Sequence, residues 1–516
     1  IKVALNPDQE QKGKIIILLA IIEQRTGSLT GGLGYSNGQG IFAQIGLQET
    51  NAFGRAWSTN INLNYGEYAT TYNFSISDPW IKGDAYFKSW KLSHKIPQQQ
   101  MEGIQKVKYI WLSHGHPDHI SIKSLNLLRN KKIFLADHYG KRIYDNLKSL
   151  GFKPIVLLNR KWYSLSKSIK ICTISDYNQD SIILIAINDC LIVNLNDASD
   201  RGWGNYIKRL IKQFKISFIL KLSGYGDADM LNVYNEAGSR IIDLENYKVP
   251  FGAKISKYVE SYKATYFLPF SSMHQYQRKD SIWANKIITN VNDHEIGYNS
   301  EKSKILPAFI KYDCRKYEIE KINPEESKSS ILYPDKINDS WDKPLDQEDK
   351  FRITKYFNSI EHIKRDLKAI IVKIGGAEHI IDLDSNSDKV IMFESPRNSF
   401  MDAINYQIFD DILIGNFMKT TLIGKDWHSG ILYPDFTPYV SKYSDNGGAK
   451  NENELKTYFM HYRKMVIRDY LLAPFEIISN NYLLRLFLPS NYYAKDIEVA
   501  QKKLLKVRYF YNKLFK

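Results

Sequence analysis

The sequence predicts an α/β protein built of sheet layers covered by helices, preceded by a β-meander and followed by a smaller α+β domain. Three observations carry this. Short apolar runs alternate with helical stretches between residues 78 and 320. Residues 1–77 show period-two alternation broken by glycine. Beyond residue 350 a strand-rich segment leads into a long amphipathic one. The predicted domains are therefore 1–77, 78–320 and 350–516, with 321–349 as a linker or long loop.

At the N-terminal end, Gly27, Gly31, Gly32, Gly34, Gly38 and Gly40 punctuate segments such as IFAQIGLQET and STNINLNYGEY, the alternation of barrel strands joined by turns. The longest apolar run, IIILLAII from Ile15 to Ile22, is far short of the roughly 20 residues that a membrane-spanning helix needs, and it reads as a buried strand. From Asp78 onward VKYIWL (107–112), KIFLA (132–136), SIILIAI (181–187), CLIVNL (190–195), FILKL (218–222) and TYFLPF (265–270) read as strands, with GKRIYDNLKSL and GNYIKRLIKQF as helices between them. The charged stretch from Glu318 to Asp349, containing Ser and Pro, marks the loop. After it, KAIIVKIGGAEHIIDLDSNSDKVIMFESP predicts a small antiparallel sheet, and NELKTYFMHYRKMVIRDYLL a helix.

Hydrophobic residues at 43% and charged residues at 25% describe a globular chain and not a disordered one. The net charge of +15 is Lys-dominated and scattered, without an Arg-rich stripe or aromatic ladder, so it reads as a solvated surface and no nucleic-acid partner is expected. The abundance of Lys, Asn, Ile and Tyr is also what an AT-rich coding sequence produces. Cys172, Cys190 and Cys314 lie far apart, which supports neither a disulfide framework nor a cysteine zinc knuckle and fits a reducing, cytoplasmic setting. A start at Ile1, without an initiator Met, reads as a fragment.

The chemistry is concentrated in WLSHGHPDH, Trp111 to His119, where three of the chain's 11 histidines and one aspartate follow an apolar strand directly. A sharp loop at a strand end lets His114 and His116 point to one metal while Asp118 and His119 turn toward a second position. Imidazole and carboxylate donors suit zinc, one or two ions, with iron or manganese as alternatives. The plainer alternative is a polar loop whose histidines are only hydrogen-bonded.

This motif resembles the signature of the metallo-β-lactamase superfamily over roughly residues 75–320, and the resemblance implies an αββα sandwich. It also implies a bracing Asp-Pro turn upstream, for which DPW supplies Asp78 as the residue fixing a ligand imidazole. It further implies a bridging carboxylate after a later strand, Asp197 in CLIVNLND, and a last histidine, His274 after TYFLPFSSM. The third histidine that the resemblance implies for the first metal is missing. His138 comes too early and reads as structural, and the expected place, CTISDYNQDS, offers Asp176, Asn178 and Asp180 as replacement ligands.

DPWIKGDAYFKSWKL, NLNDASDRGWG and KISKYVESYKATYFLPFSSMHQYQRKDSIWANK together resemble the metallo-β-lactamase-fold part of CMP-N-acetylneuraminate hydroxylase-like proteins. Those hydroxylases also carry a Rieske cluster held by C-x-H and C-x-x-H pairs, which none of the three cysteines here can form. A second resemblance covers residues 1–80. ALNPDQEQKGKI, EQRTGSLTGGLGYSNGQGIFAQIGLQETNAFG and FSISDPWIKGD resemble bacterial outer-membrane β-barrel assembly proteins of the surface-antigen family, too short a piece to close a barrel. The two resemblances overlap at DPWIKGD. A fusion or an assembly artefact at that shared sequence explains this better than a two-domain design, and TYNFSIS then serves as a substitute edge strand.

The expected function is metal-dependent hydrolysis of an ester or phosphoester bond. Asp118 would orient the attacking hydroxide, His274 or a water would assist the leaving side, and the basic charge favours an anionic small-molecule substrate such as a nucleotide-sugar or phospholipid. The alternatives are a catalytically degenerate metal- or sugar-nucleotide-binding module, and an outer-membrane barrel fragment, which would place the chain in the outer membrane. His379 and His428 are lone histidines beside acids and are assigned no site.

Overall fold

The apolar run Tyr109–Leu112 becomes a strand whose alternate side chains enter two different cores, and this sets the layering around it. The computed structural model describes the backbone over 2–7, 15–20, 27–36, 40–52, 57–66 and 75–472, apart from 176, 199, 201–202, 223–229, 243, 245–250, 271–272, 329, 428–430 and 434. It describes side chains over the same residues from 76 onward, except 463 and 466–472. Asp176 and His428 therefore lie outside the described residues. The chain divides into two compact units, Ile1–Asn73 and Phe74–Lys516.

In the first unit Lys2–Pro7 pairs antiparallel with Ile15–Ala20, so the IIILLA part of that apolar run is a strand; its burial lies outside the described residues. Gly27–Ser36, Gly40–Ala52 and Trp57–Gly66 form a three-stranded antiparallel meander, with a register shift between Glu49 and Ala52.

The second unit opens with a four-stranded parallel sheet, β1 Ser75–Ser77, β2 Tyr109–Leu112, β3 Lys132–Ala136 and β4 Pro154–Leu157, in the order β4-β3-β2-β1. The end of TYNFSIS is its edge strand. A seven-stranded sheet follows in sequential order: β5 Trp162–Ser164, β6 Ile169–Ser175, β7 Ser181–Ile187, β8 Cys190–Asn196, β9 Ile216–Lys221, β10 Tyr266–Pro269 and β11 Lys304–Ile305. Its first four strands pair antiparallel and the rest parallel. Trp111 and Phe134 of the first sheet meet Ile171 and Ile183 of the second in an inner core. On the outer face of the first sheet, Ile110, Leu112, Ile133 and Leu135 pack with Leu125, Ile143 and Leu147 of two helices. On the outer face of the second, Leu184, Leu191 and Val193 pack with Ile207 and Val259 of two more. The result is helix, sheet, sheet, helix.

In the C-terminal region, β12 Ala369–Ile374, β13 Ala377–Asp382, β14 Val390–Glu394 and β15 Lys419–Ile423 form a sheet that takes its fifth strand, Val233–Asn235, from far earlier in the chain, within the preceding domain. It is a mixed sheet where the sequence predicts an antiparallel one, because β12 and β14 run parallel and the distant strand pairs parallel to β15. Its core gathers Phe357, Phe393, Phe400, Phe409 and Phe436. The stretch 321–349 is held along the fold: Lys95 N donates to Glu325 O at 2.8 Å, and the buried Arg278 guanidinium donates to Asp339 Oδ2 at 2.8 Å.

Trp111 is 1% exposed between the two sheets. Trp111→Ala is expected to lower the unfolding free energy by about 3–5 kcal/mol in urea titration, the range for truncating a buried aromatic side chain. A loss below about 1 kcal/mol would mean that the sheets do not depend on this contact.

Candidate metal centre

At the end of β2 the chain turns sharply, and Ser113 to His119 collects the three imidazoles in one buried place. The turn is held from below. Asp78, just beyond β1, sits at φ +46°, a backbone region that Asp tolerates better than most residues. Its Oδ1 accepts from Ser113 N at 2.7 Å, while Asn196, at the end of β8, donates from Nδ2 to Ser113 Oγ at 2.5 Å and to Asp78 Oδ2 at 3.3 Å. The neighbouring strand β7 contributes Ser181, whose Oγ donates to Ser113 O at 2.6 Å. Gly115 must be glycine for a different reason: a Cβ there would fall 2.4 Å from a ring carbon of Tyr443.

The three rings share one arrangement. His114 Nε2 lies 2.9 Å from His116 Nδ1 and 3.8 Å from Asp197 Oδ2. His119 Nε2 lies 3.3 Å from both Asp118 Oδ2 and Asp197 Oδ2, without a well-aligned hydrogen bond to either. One nitrogen of each ring therefore faces a common interior. The other nitrogen of each ring faces outward: His114 Nδ1 meets Ser113 Oγ at 2.8 Å with Asp180 at 3.4 Å, His119 Nδ1 lies 3.3 Å from Asp78, and His116 Nε2 3.3 Å from Asp410. The fourth residue of the motif, Asp118, accepts from Tyr86 Oη at 2.7 Å through its Oδ1.

Burial and charge push the rings apart in acidity. Burial drives His114 well below its ordinary value, helped by the neighbouring His119 and His116 rings. Burial also works to lower His119, but the Asp118 and Asp197 carboxylates overcome it and hold that ring well above the ordinary value. For His116, burial is outweighed by Asp410 and its neighbour Asp411, which raise it to about 9.

The predicted residues thus separate into groups. His114, His116, Asp118, His119 and Asp197 come together, and Asp78 lies behind His119. Asp180 sits behind His114, with Oδ1 accepting from Ser181 N at 2.7 Å, and so takes an outer place. Two groups of histidine and acidic donors among the described residues have ligating atoms within 4.8 Å of one another, namely His114, His119 and Asp197, and His116, Asp410 and Asp411; Asn178 keeps a buried side-chain oxygen without a hydrogen-bond partner. His274 is in neither group. It pairs in a two-stranded ribbon with Trp90–Leu92, and its ring stacks on Trp90 at 3.5 Å and 5°. His138 Nε2 faces Ser113 O at 3.3 Å from behind the loop, a supporting position. Sequence reasoning misses Tyr86, Asn196, Asp410 and Asp411. Tyr86 and Asn196 carry no local signal, but two acids inside the apolar run IFDDILI are unusual enough to have been noticed.

The donor set fits a divalent cation. His119 Nε2 is a buried nitrogen lacking a hydrogen-bond partner, aimed between two carboxylates, and mixed imidazole and carboxylate donors suit zinc, iron or manganese. Beside it opens a cleft of ≈ 360 Å³ with Asp118, His119, Asp78 and Asn196 on its polar side and Trp80, Leu92, Ile96, Phe270, Met273 and Phe309 among its walls.

The fold is therefore mixed α/β with several sheets, and the site is a buried imidazole–carboxylate cluster at a strand end. Comparison with known proteins finds two kinds of similarity. The Omp85 superfamily domain model matches residues 51–127, overlapping the outer-membrane-like segment and running on through the metal motif. The cytidine monophosphate-N-acetylneuraminic acid hydroxylase of Asterias rubens is 26% identical over 141 residues, 25% of this chain and 21% of that protein. The chain thus spans about a fifth of that relative's length. Among solved structures, the metallo-β-lactamase fold protein YhfI from Bacillus subtilis has a TM-score of 0.26 at 10% identity, covering 54% of this chain and 94% of that one. CmlA, a diiron β-hydroxylase from Streptomyces venezuelae, has a TM-score of 0.25 at 11% identity, covering 44% and 42%. Both resemblances read from the sequence are present in these matches.

In metal-free protein, His116 titrates near 9 in the folded state against an ordinary value of 6.5, so its charged form stabilises the fold fully below about pH 6.5 and that contribution is lost as pH rises through 9. The melting temperature of chelator-treated protein is expected to fall between pH 6.5 and 9, and to fall less in His116→Gln; equal slopes would contradict the assignment.

Proposed function

We propose that this chain is a metal-dependent hydrolase acting on an ester or phosphoester bond. The observation that carries the reading is the grouping of His114, His119 and Asp197 donor atoms within 4.8 Å of one another, with His116 against His114 and Asp118 against His119, beside an open cleft. A bound divalent ion would supply a water whose pKa falls from 15.7 toward about 7. The chain's own residues do the rest. Asp118, whose Oδ1 is tied by the Tyr86 hydroxyl, keeps Oδ2 toward the interior and is placed to orient that water and take up its proton. Asp78 holds the His119 ring, and Asn196 holds the loop that carries it.

The cleft favours one kind of substrate. Its walls are largely apolar, with His94 and Lys95 at the side, and Lys95 is engaged with Glu325 at 2.9 Å. Of the anionic substrates expected from sequence, this lining supports an amphiphilic one such as a phospholipid, its apolar part against Trp80, Phe270 and Phe309, over a nucleotide-sugar. His274, stacked on Trp90, is assigned to holding that tryptophan and not to the leaving group.

Elemental analysis of protein purified with zinc, iron or manganese, combined with hydrolysis of p-nitrophenyl esters, bis(p-nitrophenyl) phosphate and a short-chain phospholipid, tests the reading. Metal uptake is expected, with Asp118→Asn lowering kcat on the order of 10²–10⁴-fold. Metal uptake without turnover on any of these would favour the binding-module alternative, and absence of metal uptake would remove the hydrolase reading.

A further inference from the structure

The Asp410–His116 contact joins residues 294 positions apart, and it brings a side chain from the C-terminal region to the back of the metal motif. Asp410 lies on the short helix Phe409–Ile414, every residue of which is buried. That helix cannot easily shift. The Phe409 ring packs edge-on against Phe393 at 5.0 Å and Phe400 at 5.5 Å in the C-terminal core. Just past the helix, Gly415 O accepts from Ser89 Oγ at 2.6 Å, and Asn416 Nδ2 donates to Tyr276 Oη at 2.9 Å, which ties this end to the residues around Trp90. Asp410 itself is 3% exposed.

A buried carboxylate has a specific consequence for an imidazole beside it. It favours a proton on the nitrogen it faces, so the opposite nitrogen is the one that can give up its proton and bind a cation. At His116 the facing nitrogen is Nε2, and the opposite one, Nδ1, is the atom that meets His114 Nε2 inside the cluster. Asp78 stands in a similar relation to His119, whereas the nearest partner of His114 Nδ1 is Ser113 Oγ at 2.8 Å, with Asp180 behind it at 3.4 Å. The two local partners, however, come from the same sandwich as the motif, whereas the third comes from the C-terminal sheet's helix layer.

We infer that Asp410 is a positioning residue of the metal centre: it holds His116 in the Nε2-protonated form with Nδ1 directed inward, so the centre is complete only when the C-terminal region is folded against the sandwich. The inference rests on the reading that the His114–His119 cluster binds a divalent ion. It gives the C-terminal region a role in the site itself, which the motif alone does not assign to it.

The test uses the full chain, with zinc titrated against a chromophoric chelator and cobalt substitution as a spectroscopic probe. Asp410→Ala is expected to weaken affinity by roughly 10–100-fold, the range for loss of a ligand's outer partner, with the number of ions per chain unchanged and the cobalt visible spectrum altered. Asp410→Glu should restore part of both. Asp410→Asn, close to isosteric, covers the case in which the alanine variant does not fold; it should weaken zinc binding measurably while metal-free thermal unfolding stays cooperative. Affinity and spectrum equal to the wild type would overturn the inference. So would loss of a whole ion equivalent, which would make Asp410 a direct ligand. If the wild-type chain takes up no metal, it is the hydrolase reading that has failed.

Discussion

An imidazole has two ring nitrogens, and when the ring is buried each must find a partner or forfeit about 1–3 kcal/mol. Three such rings crowd into the turn after β2, and the structure meets the requirement by division of labour. Each ring turns one nitrogen outward to a carboxylate and the other inward to a shared space. The outward contacts fix ring orientation and tautomer. The inward nitrogens of His114 and His119 are then grouped with Asp197, their ligating atoms within 4.8 Å of one another, while His116 Nδ1 meets His114 Nε2 at 2.9 Å. The same arrangement concentrates negative charge. Asp78, Asp118, Asp180, Asp197 and Asp410 each contact at least one of the three rings and Asp411 adjoins them, and burial pushes the Asp78 carboxyl above, and the Asp411 carboxyl well above, the usual carboxylate range. Burial without a compensating charge is expensive, which links the integrity of the cluster to the ion it is suited to hold.

The scaffold earns this precision through strand alternation. Because side chains switch faces at every residue, Trp111 locks β2 into the inner core while Ile110 and Leu112 grip the helices outside, so the residue that follows begins the loop at a fixed height and angle. Alternation in β8 works alongside it. Leu191, Val193 and Leu195 face the outer helices, which turns Asn194 and Asn196 inward, where Asn194 donates to Ser77 Oγ at 3.1 Å and Asn196 reaches Ser113 and Asp78. A second layer of support is aromatic. His274 stacks on Trp90, Trp90 meets Tyr86 edge-on at 4.4 Å, and Tyr86 ends on Asp118. The consecutive residues Tyr86, Phe87 and Lys88 all take positive φ, between 48° and 65°. Such a run is costly for residues with side chains and persists only where packing over-determines it, as it does under this site.

What the sequence determined by itself was local. The apolar runs of β2, β3, β7, β8, β9 and β10 were legible because period and composition act over a few residues, and the cluster His114, His116, Asp118 and His119 was legible because its members are neighbours along the chain. Asp78 and Asp197 could be proposed only because a resemblance supplied their places relative to strands. What the tertiary structure alone decided was every contact that closes over a long loop. No spacing rule could tell that His274 would spend its ring on Trp90, that Asp180 would stand behind His114, or that Asp410, 294 residues beyond His116, would face it. Nor could it tell that the C-terminal sheet would borrow Val233–Asn235 as a strand. The physical reason is that side-chain orientation at one residue is set by its own backbone, whereas which two distant residues meet depends on how whole layers pack, and that depends on all the apolar surface they bury together.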